Sequence, residues 1–248
     1  MKCSIAFATF NRGPIVDKVL ESIRAQDVPF DYEIVICDDG SQDDTKAICK
    51  KWDVEKYHYL DRPYHAGPAA ARNVAYRECA GDVVICQASD VVHVSPSCIE
   101  RLCEFERRTM NIGICYNYDE SGAIESQYCG YPMHCTPVPC PPQPFNPVFF
   151  LGSVKRRDLF GIGGDDEDFV LPNNEDNWFT LRLGCGRGLR INWRKDVWGH
   201  HLWHPRPKET HVDTYEPTWK LLEQKVKQAT ETGDWTAAGG PWPYKETA

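Results

Sequence analysis

No stretch of this 248-residue chain is apolar for long enough to cross a membrane as a helix. The expectation is a protein without a transmembrane segment, with peripheral membrane contact left open. Positive charge is in the minority. There are 28 Lys and Arg against 36 Asp and Glu, a net charge of -8. That shortage argues against stable nucleic-acid binding, which needs clustered cations on phosphates. It leaves room for a local site that takes a small phosphorylated molecule. No Cys-x-x-Cys pair occurs among the twelve cysteines. The nearest cluster, Cys129, Cys135 and Cys140, is loosely spaced in a proline-rich stretch. The cysteines therefore read as reduced thiols rather than as a zinc site, with Cys37, Cys86 and Cys115 inside apolar runs as small hydrophobes. The opening Met1-Lys2-Cys3-Ser4 and the short apolar run behind it do not make a secretory leader, so a cytoplasmic location is expected. Internal repeats and low-complexity tracts are also missing.

What is present is a rhythm. Lys2 to Ala8, Tyr32 to Cys37, Tyr57 to Leu60, Val83 to Gln87 and Ile112 to Tyr116 read as short strands. Pro14 to Ala25, Asp44 to Lys51, Pro68 to Glu78 and Ser97 to Thr109 read as helices between them. This alternation predicts an α/β fold with a mostly parallel central sheet flanked by helices. Ligands in such sheets bind beyond the carboxyl ends of the strands. The second half is less regular. Seven prolines fall between Pro132 and Pro147, which predicts an irregular loop. Glu175 to Leu183 and Pro217 to Glu231 fit helices, the latter stopped by Gly233, and Leu189 to Trp193 fits a strand.

Four stretches carry chemistry in the first hundred residues. They are Ala8-Thr9-Phe10-Asn11-Arg12, Cys37-Asp38-Asp39-Gly40-Ser41-Gln42-Asp43-Asp44-Thr45, Gly67-Pro68-Ala69-Ala70-Ala71-Arg72-Asn73, and Gly81 to Asp90. In order and spacing they resemble the family 2 glycosyltransferases, whose fold is GT-A, a Rossmann-like nucleotide-diphospho-sugar transferase fold. The resemblance extends to about residue 205 through Gly163 to Phe169, Asn174 to Leu183 and the histidines after Trp198. Taken alone, Asp38-Asp39-Gly40-Ser41 would be a tight turn before a helix. Beside the other three stretches, it reads as part of a donor site.

The resemblance implies a role for each residue. Thr9, Asn11 and Arg12 would line the donor rim. Asp39 would accept from the uracil N3–H or the ribose hydroxyls, since an ionised carboxylate only accepts. Asp38 would share that work or orient the loop. Arg72, near the start of its helix, would meet the uracil edge or a phosphate. Ala88-Ser89-Asp90 stands where the family has D-x-D, so the first aspartate is missing and Ser89 takes the middle place. Asp90 would bridge to a divalent cation on the donor diphosphate. His204, then His201, would complete that site, and imidazole ligands favour Mn²⁺ over Mg²⁺. Asp176 would be the general base of an inverting transfer. Glu175 would orient the site or bind acceptor. Glu167 and Trp178 would contact the acceptor, Trp178 as a sugar-stacking surface. Four adjacent carboxylates from Asp165 to Asp168 cannot all share one site without repulsion.

The expected organisation is one catalytic domain over 1–205, with a nucleotide-binding half at 1–116 and an acceptor half at 117–205. Residues 206–248 would add a helix and an extended tail. The expected partners are a nucleotide-sugar donor, most simply UDP-linked, and a carbohydrate or glycoconjugate acceptor, as in polysaccharide biosynthesis. A nucleotidyltransferase would want a G-x-G-x-R loop after the first strand, and Phe10-Asn11-Arg12-Gly13 does not supply it. A non-catalytic nucleotide-sugar or carbohydrate-binding protein is the alternative from another class.

Overall fold

The computed structural model describes residues 3–61, 67–128, 136–138, 149–205 and 214–240. The cluster Cys129, Cys135 and Cys140, most of the proline-rich loop and the final tail lie outside them. The described cysteines are nine free thiols, eight of them buried.

The strands are β1 (Cys3–Thr9), β2 (Tyr32–Asp38), β3 (Lys56–Tyr59), β4 (Val83–Gln87) and β5 (Val91–His93). They continue as β6 (Thr109–Tyr118), β7 (Ile124–Tyr128), β8 (Thr136–Pro137), β9 (Leu151–Lys155) and β10 (Arg190–His201). All join one sheet, in the order β3-β2-β1-β4-β9-β6-β10-β5, with β7 on β6 and β8 on β10. The β3-β2-β1-β4 part is parallel, as the rhythm predicts. The whole sheet is mixed rather than mostly parallel. β9 runs antiparallel to both β4 and β6, and β5, β7 and β8 are antiparallel as well. Because β9 reverses between two strands of the same sense, β1, β2, β4, β6 and β10 all end at one edge. That edge holds Thr9, Asp38, Gln87, Tyr118 and His201.

The helices are α1 (Gly13–Arg24), α2 (Thr45–Lys51), α3 (Pro68–Glu78), α4 (Cys98–Leu102), α5 (Arg156–Gly161), α6 (Glu175–Leu181) and α7 (Tyr215–Thr232). Alternating strand residues divide the core between the two sheet faces. Ile5, Phe7, Ile34 and Ile36 face α1, α2 and α4, while Ala6, Val35, Cys37 and Ile112 face α3, α5 and α6. The helix expected over Ser97 to Thr109 stops at Leu102. Arg108 has φ of +56°, a left-handed turn, and Thr109 already begins β6. The helix from Glu175 gives way at Arg182 to one π-helical turn, Arg182–Gly186. Gly233, at φ of +74°, closes α7 as expected. α7 is fixed by a small core of Phe169, Trp178, Leu222, Ala229 and Trp235.

Candidate active site

The turns after β1 and β2 lock together at the strand ends. The Asp39 amide donates to the Thr9 carbonyl at 2.9 Å. Asn11 sits at φ of +49°, donates its amide to Ser41 Oγ at 2.8 Å, and accepts from the Gln42 amide at 2.8 Å. Asp38 is fully buried; one oxygen accepts from the Ser41 amide at 2.8 Å and the other from the Tyr57 hydroxyl. These contacts orient the loop, one of the two roles expected of Asp38. Asp39, 7% exposed, is the member of the pair nearer the surface, beside the buried Thr9 hydroxyl.

Asp90, His201 and His204 meet across the same edge, 111 to 114 residues apart in sequence. One ligand atom from each lies within 4.8 Å of the others. His201 Nε2 is 3.3 Å from Asp90 Oδ1, and His204 Nε2 is 3.1 Å from Asp90 Oδ2. Burial alone would raise the Asp90 carboxyl. The hydrogen bond from His204 and the nearby His201 and Arg12 outweigh it and hold Asp90 below its usual range.

The ring contacts assign the protons. His201 Nδ1 is 2.9 Å from Asn117 Oδ1, so a neutral ring donates there and turns an acceptor Nε2 toward Asp90. Two acceptors face each other in that state, and a proton or a cation relieves them. Arg12 Nη2 lies 2.8 Å from His204 Nδ1. Arginine only donates, so Nδ1 accepts and Nε2–H points at Asp90. The Pro205 carbonyl, 3.3 Å from the same Nδ1, can take its proton in the other tautomer. The buried Asp90 Oδ1 makes no hydrogen bond among the described residues. A carboxylate oxygen and two imidazole nitrogens are a donor set that could hold a divalent cation. Asn117 and the Arg12–His204 contact were invisible in sequence, where partners 84 and 192 residues apart leave no local signal.

A second charged group lies on the α3–α6 side. Arg72 Nε is 2.7 Å from Asp165 Oδ2, Nη1 is 3.4 Å from Asp176 Oδ1, and Nη2 is 3.5 Å from Glu175 Oε1. Arg72 thus pairs with three carboxylates. Burial pushes Asp165 up to about 6, with Arg72 opposing and Asp176 assisting. Burial and the neighbouring Asp176 push Glu175 up to about 7 against Arg72. Burial also raises Asp176, again opposed by Arg72.

The acidic run is parted by its partners. Asp165 takes Arg72. Asp166 accepts from the Trp178 indole at 2.8 Å and from the Gly239 amide at 2.8 Å, and pairs with Lys225 at 2.9 Å. Glu167 accepts from the Asn73 amide group at 2.8 Å. Asp168 is exposed and also pairs with Lys225. Trp178 is 1% exposed and packs near Trp235. Ser89 is half-buried beside Asp90.

The model of glycosyl transferase family 2 matches residues 4–134. A GalNAc(5)-diNAcBac-PP-undecaprenol beta-1,3-glucosyltransferase of Campylobacter jejuni is 35% identical over 86 residues, 34% of this chain and 28% of that protein. A validoxylamine A glucosyltransferase of Streptomyces hygroscopicus subsp. limoneus is 23% identical over 253 residues, 85% of this chain and 54% of that protein. The chain thus spans only part of the length of these relatives. Among solved structures, Staphylococcus aureus TarS 1-349 with UDP superimposes with a TM-score of 0.68 at 19% identity, over 92% of this chain and 66% of that one. The mannosyltransferase PcManGT of Pyrobaculum calidifontis, with GDP-Man and Mn²⁺, gives 0.54 at 20% identity, over 98% and 66%. These likenesses show a GT-A fold.

Proposed function

The chain belongs to glycosyl transferase family 2, and on that premise we propose that it transfers a hexosyl or N-acetylhexosaminyl unit from a UDP-sugar to a hydroxyl of a carbohydrate or glycoconjugate acceptor. The observation that carries this reading is the meeting of Asp90, His201 and His204 at the strand ends, beside the Thr9–Asp39 turn. UDP and Mn²⁺ in the structural neighbours support the donor and the cation. In this reading residues 1–205 form the catalytic domain, and 206–248 an appended helix and tail.

Asp39 and Thr9 hold the nucleoside. Asp90, His201 and His204 would hold a divalent cation. When bound, the cation neutralises the diphosphate and the charge left on the departing UDP. His204 would offer Nε2 to the cation in the tautomer whose Nδ1–H faces the Pro205 carbonyl. Arg12, 2.8 Å from His204 Nδ1, stands beside these residues, and its guanidinium would pair with the donor phosphates. Asp176, partly exposed and with its pKa raised, takes the acceptor proton as the oxygen attacks the anomeric carbon from the side opposite UDP. The anomeric configuration inverts. Glu175 and Asp165 share with Asp176 the single positive charge of Arg72, which sets the pH at which the base is free.

The test is a calorimetric titration of UDP with and without Mn²⁺ in wild type and Asp90→Ala. Wild type should bind UDP more tightly with Mn²⁺, and the variant should lose that gain. Equal gains in both proteins would remove Asp90 from the cation site. If UDP binds but no UDP-sugar is ever turned over, the chain is a nucleotide-sugar-binding protein.

A further inference from the structure

One group of rings is used neither by the core nor by the site above. Trp198 and His200 on β10 and Tyr116 and Tyr118 on β6 project from the same sheet face, since side chains alternate along a strand and His200 pairs with Tyr116. Their rings touch in series. Tyr118 and His200 have centroids 4.5 Å apart, with the hydroxyl 3.0 Å from Nε2. His200 and Trp198 lie 5.9 Å apart, and Trp198 and Tyr116 meet edge to face at 6.2 Å. Trp198 is 37% exposed. Its indole N–H makes no hydrogen bond among the described residues.

The position of this strip ties it to the site. Met110 and Ile112, on the same strand and face, are buried with Phe149 and Phe179, and Phe179 belongs to α6, the helix that carries Asp176. At its other end the strip reaches Asn117 and His201, the residues beside Asp90, which point to the opposite face. The face is therefore continuous with the acceptor side of the sheet and ends beside the cation ligands.

Its composition points to one occupant. All four rings carry a polar atom at the edge: an indole N–H, an imidazole and two phenols. Exposed Gln127 of β7 lies opposite Tyr116 and adds a polar rim. Pyranose rings present an apolar C–H face bounded by hydroxyls, which such a surface matches in both respects. We infer that the Trp198–His200–Tyr116–Tyr118 face is a sugar-stacking platform, where an acceptor oligosaccharide is held by residues beyond the one that is glycosylated. The inference rests on the transfer reading for the identity of its ligand as acceptor.

The experiment is isothermal titration of wild type, Trp198→Ala and Trp198→Phe with cellohexaose, chitohexaose and maltohexaose, and with glucose and N-acetylglucosamine. Nucleotide release from UDP-glucose and UDP-N-acetylglucosamine without oligosaccharide is measured alongside. Wild type should bind at least one hexasaccharide more tightly than its monomer. Trp198→Ala should weaken that binding about tenfold, as the loss of one aromatic contact implies. Trp198→Phe should keep most of it, and nucleotide release should be the same in all three. Equal hexasaccharide binding by wild type and Trp198→Ala would overturn the platform, as would no binding by wild type. If hexasaccharide binding depends on Trp198 but no UDP-sugar is turned over, the platform stands and the transfer reading falls.

Discussion

Replacing Arg72 by Met keeps the volume near α3 and removes the one cation shared by Asp165, Glu175 and Asp176. At 2.7 Å the Arg72–Asp165 pair alone has a Coulomb attraction of about 6 kcal/mol at an effective dielectric of about 20. Desolvation of the guanidinium cancels part of it, and losing one partner of a buried pair costs about 3–5 kcal/mol in practice. For a chain of this size, that is a fall in Tm of about 10 °C. The cost should depend on pH. The three carboxyls already sit above their ordinary range, with Asp165 at about 6 and Glu175 at about 7. Without Arg72 they rise further. A carboxyl protonated in the fold but ionised in the unfolded chain loses about 1.4 kcal/mol of stability per pH unit above its unfolded value. The variant should be closest to wild type near pH 5 and fall away as pH rises through 8. Thermal melts of both proteins across this range make the comparison. A Tm difference that is the same at pH 5 and pH 8, or that shrinks with rising pH, would refute the account of the cluster.

Two further outcomes are expected. Activity should rise with pH along an acid limb displaced above the ordinary carboxylate range, because the base works only when ionised and burial raises Asp176. Glu175→Gln should move that limb down by removing a like charge beside Asp176; a limb that stays in place or moves up in a pH–rate profile would contradict this. Gly67 has φ of +87°, and a Cβ there would stand 2.6 Å from the Val170 carbonyl oxygen. Gly67→Ala should cost about 1–3 kcal/mol in a urea titration, and an unchanged midpoint would show that the turn before α3 relaxes freely.

Much of the first half was legible because its signals are local. Asp39, Asn11 and Asp90 follow strands that announce themselves as apolar runs, and their turns are built from neighbours. β9 escaped because Leu151-Gly152-Ser153-Val154-Lys155 is short and half small or polar, yet it is the strand that makes the sheet mixed. The second half was less legible because its side chains are placed by distant partners. Trp178 reads as a sugar surface beside Glu175 and Asp176, but Trp235 and Asp166 bury it. Arg72 reads as a phosphate ligand at a helix start, but its carboxylates lie 93 to 104 residues further on. The net charge of -8 conceals the second fact, since Asp165 and Glu175 beside Arg72 are buried rather than solvated.

The most direct test of the account is donor turnover by Asp176→Asn, with UDP affinity measured on the same samples. The account predicts that UDP and Mn²⁺ bind as in wild type while the transfer rate falls by about 10²–10⁴-fold, the range for loss of a general base. Transfer by Asp176→Asn at the wild-type rate would contradict it.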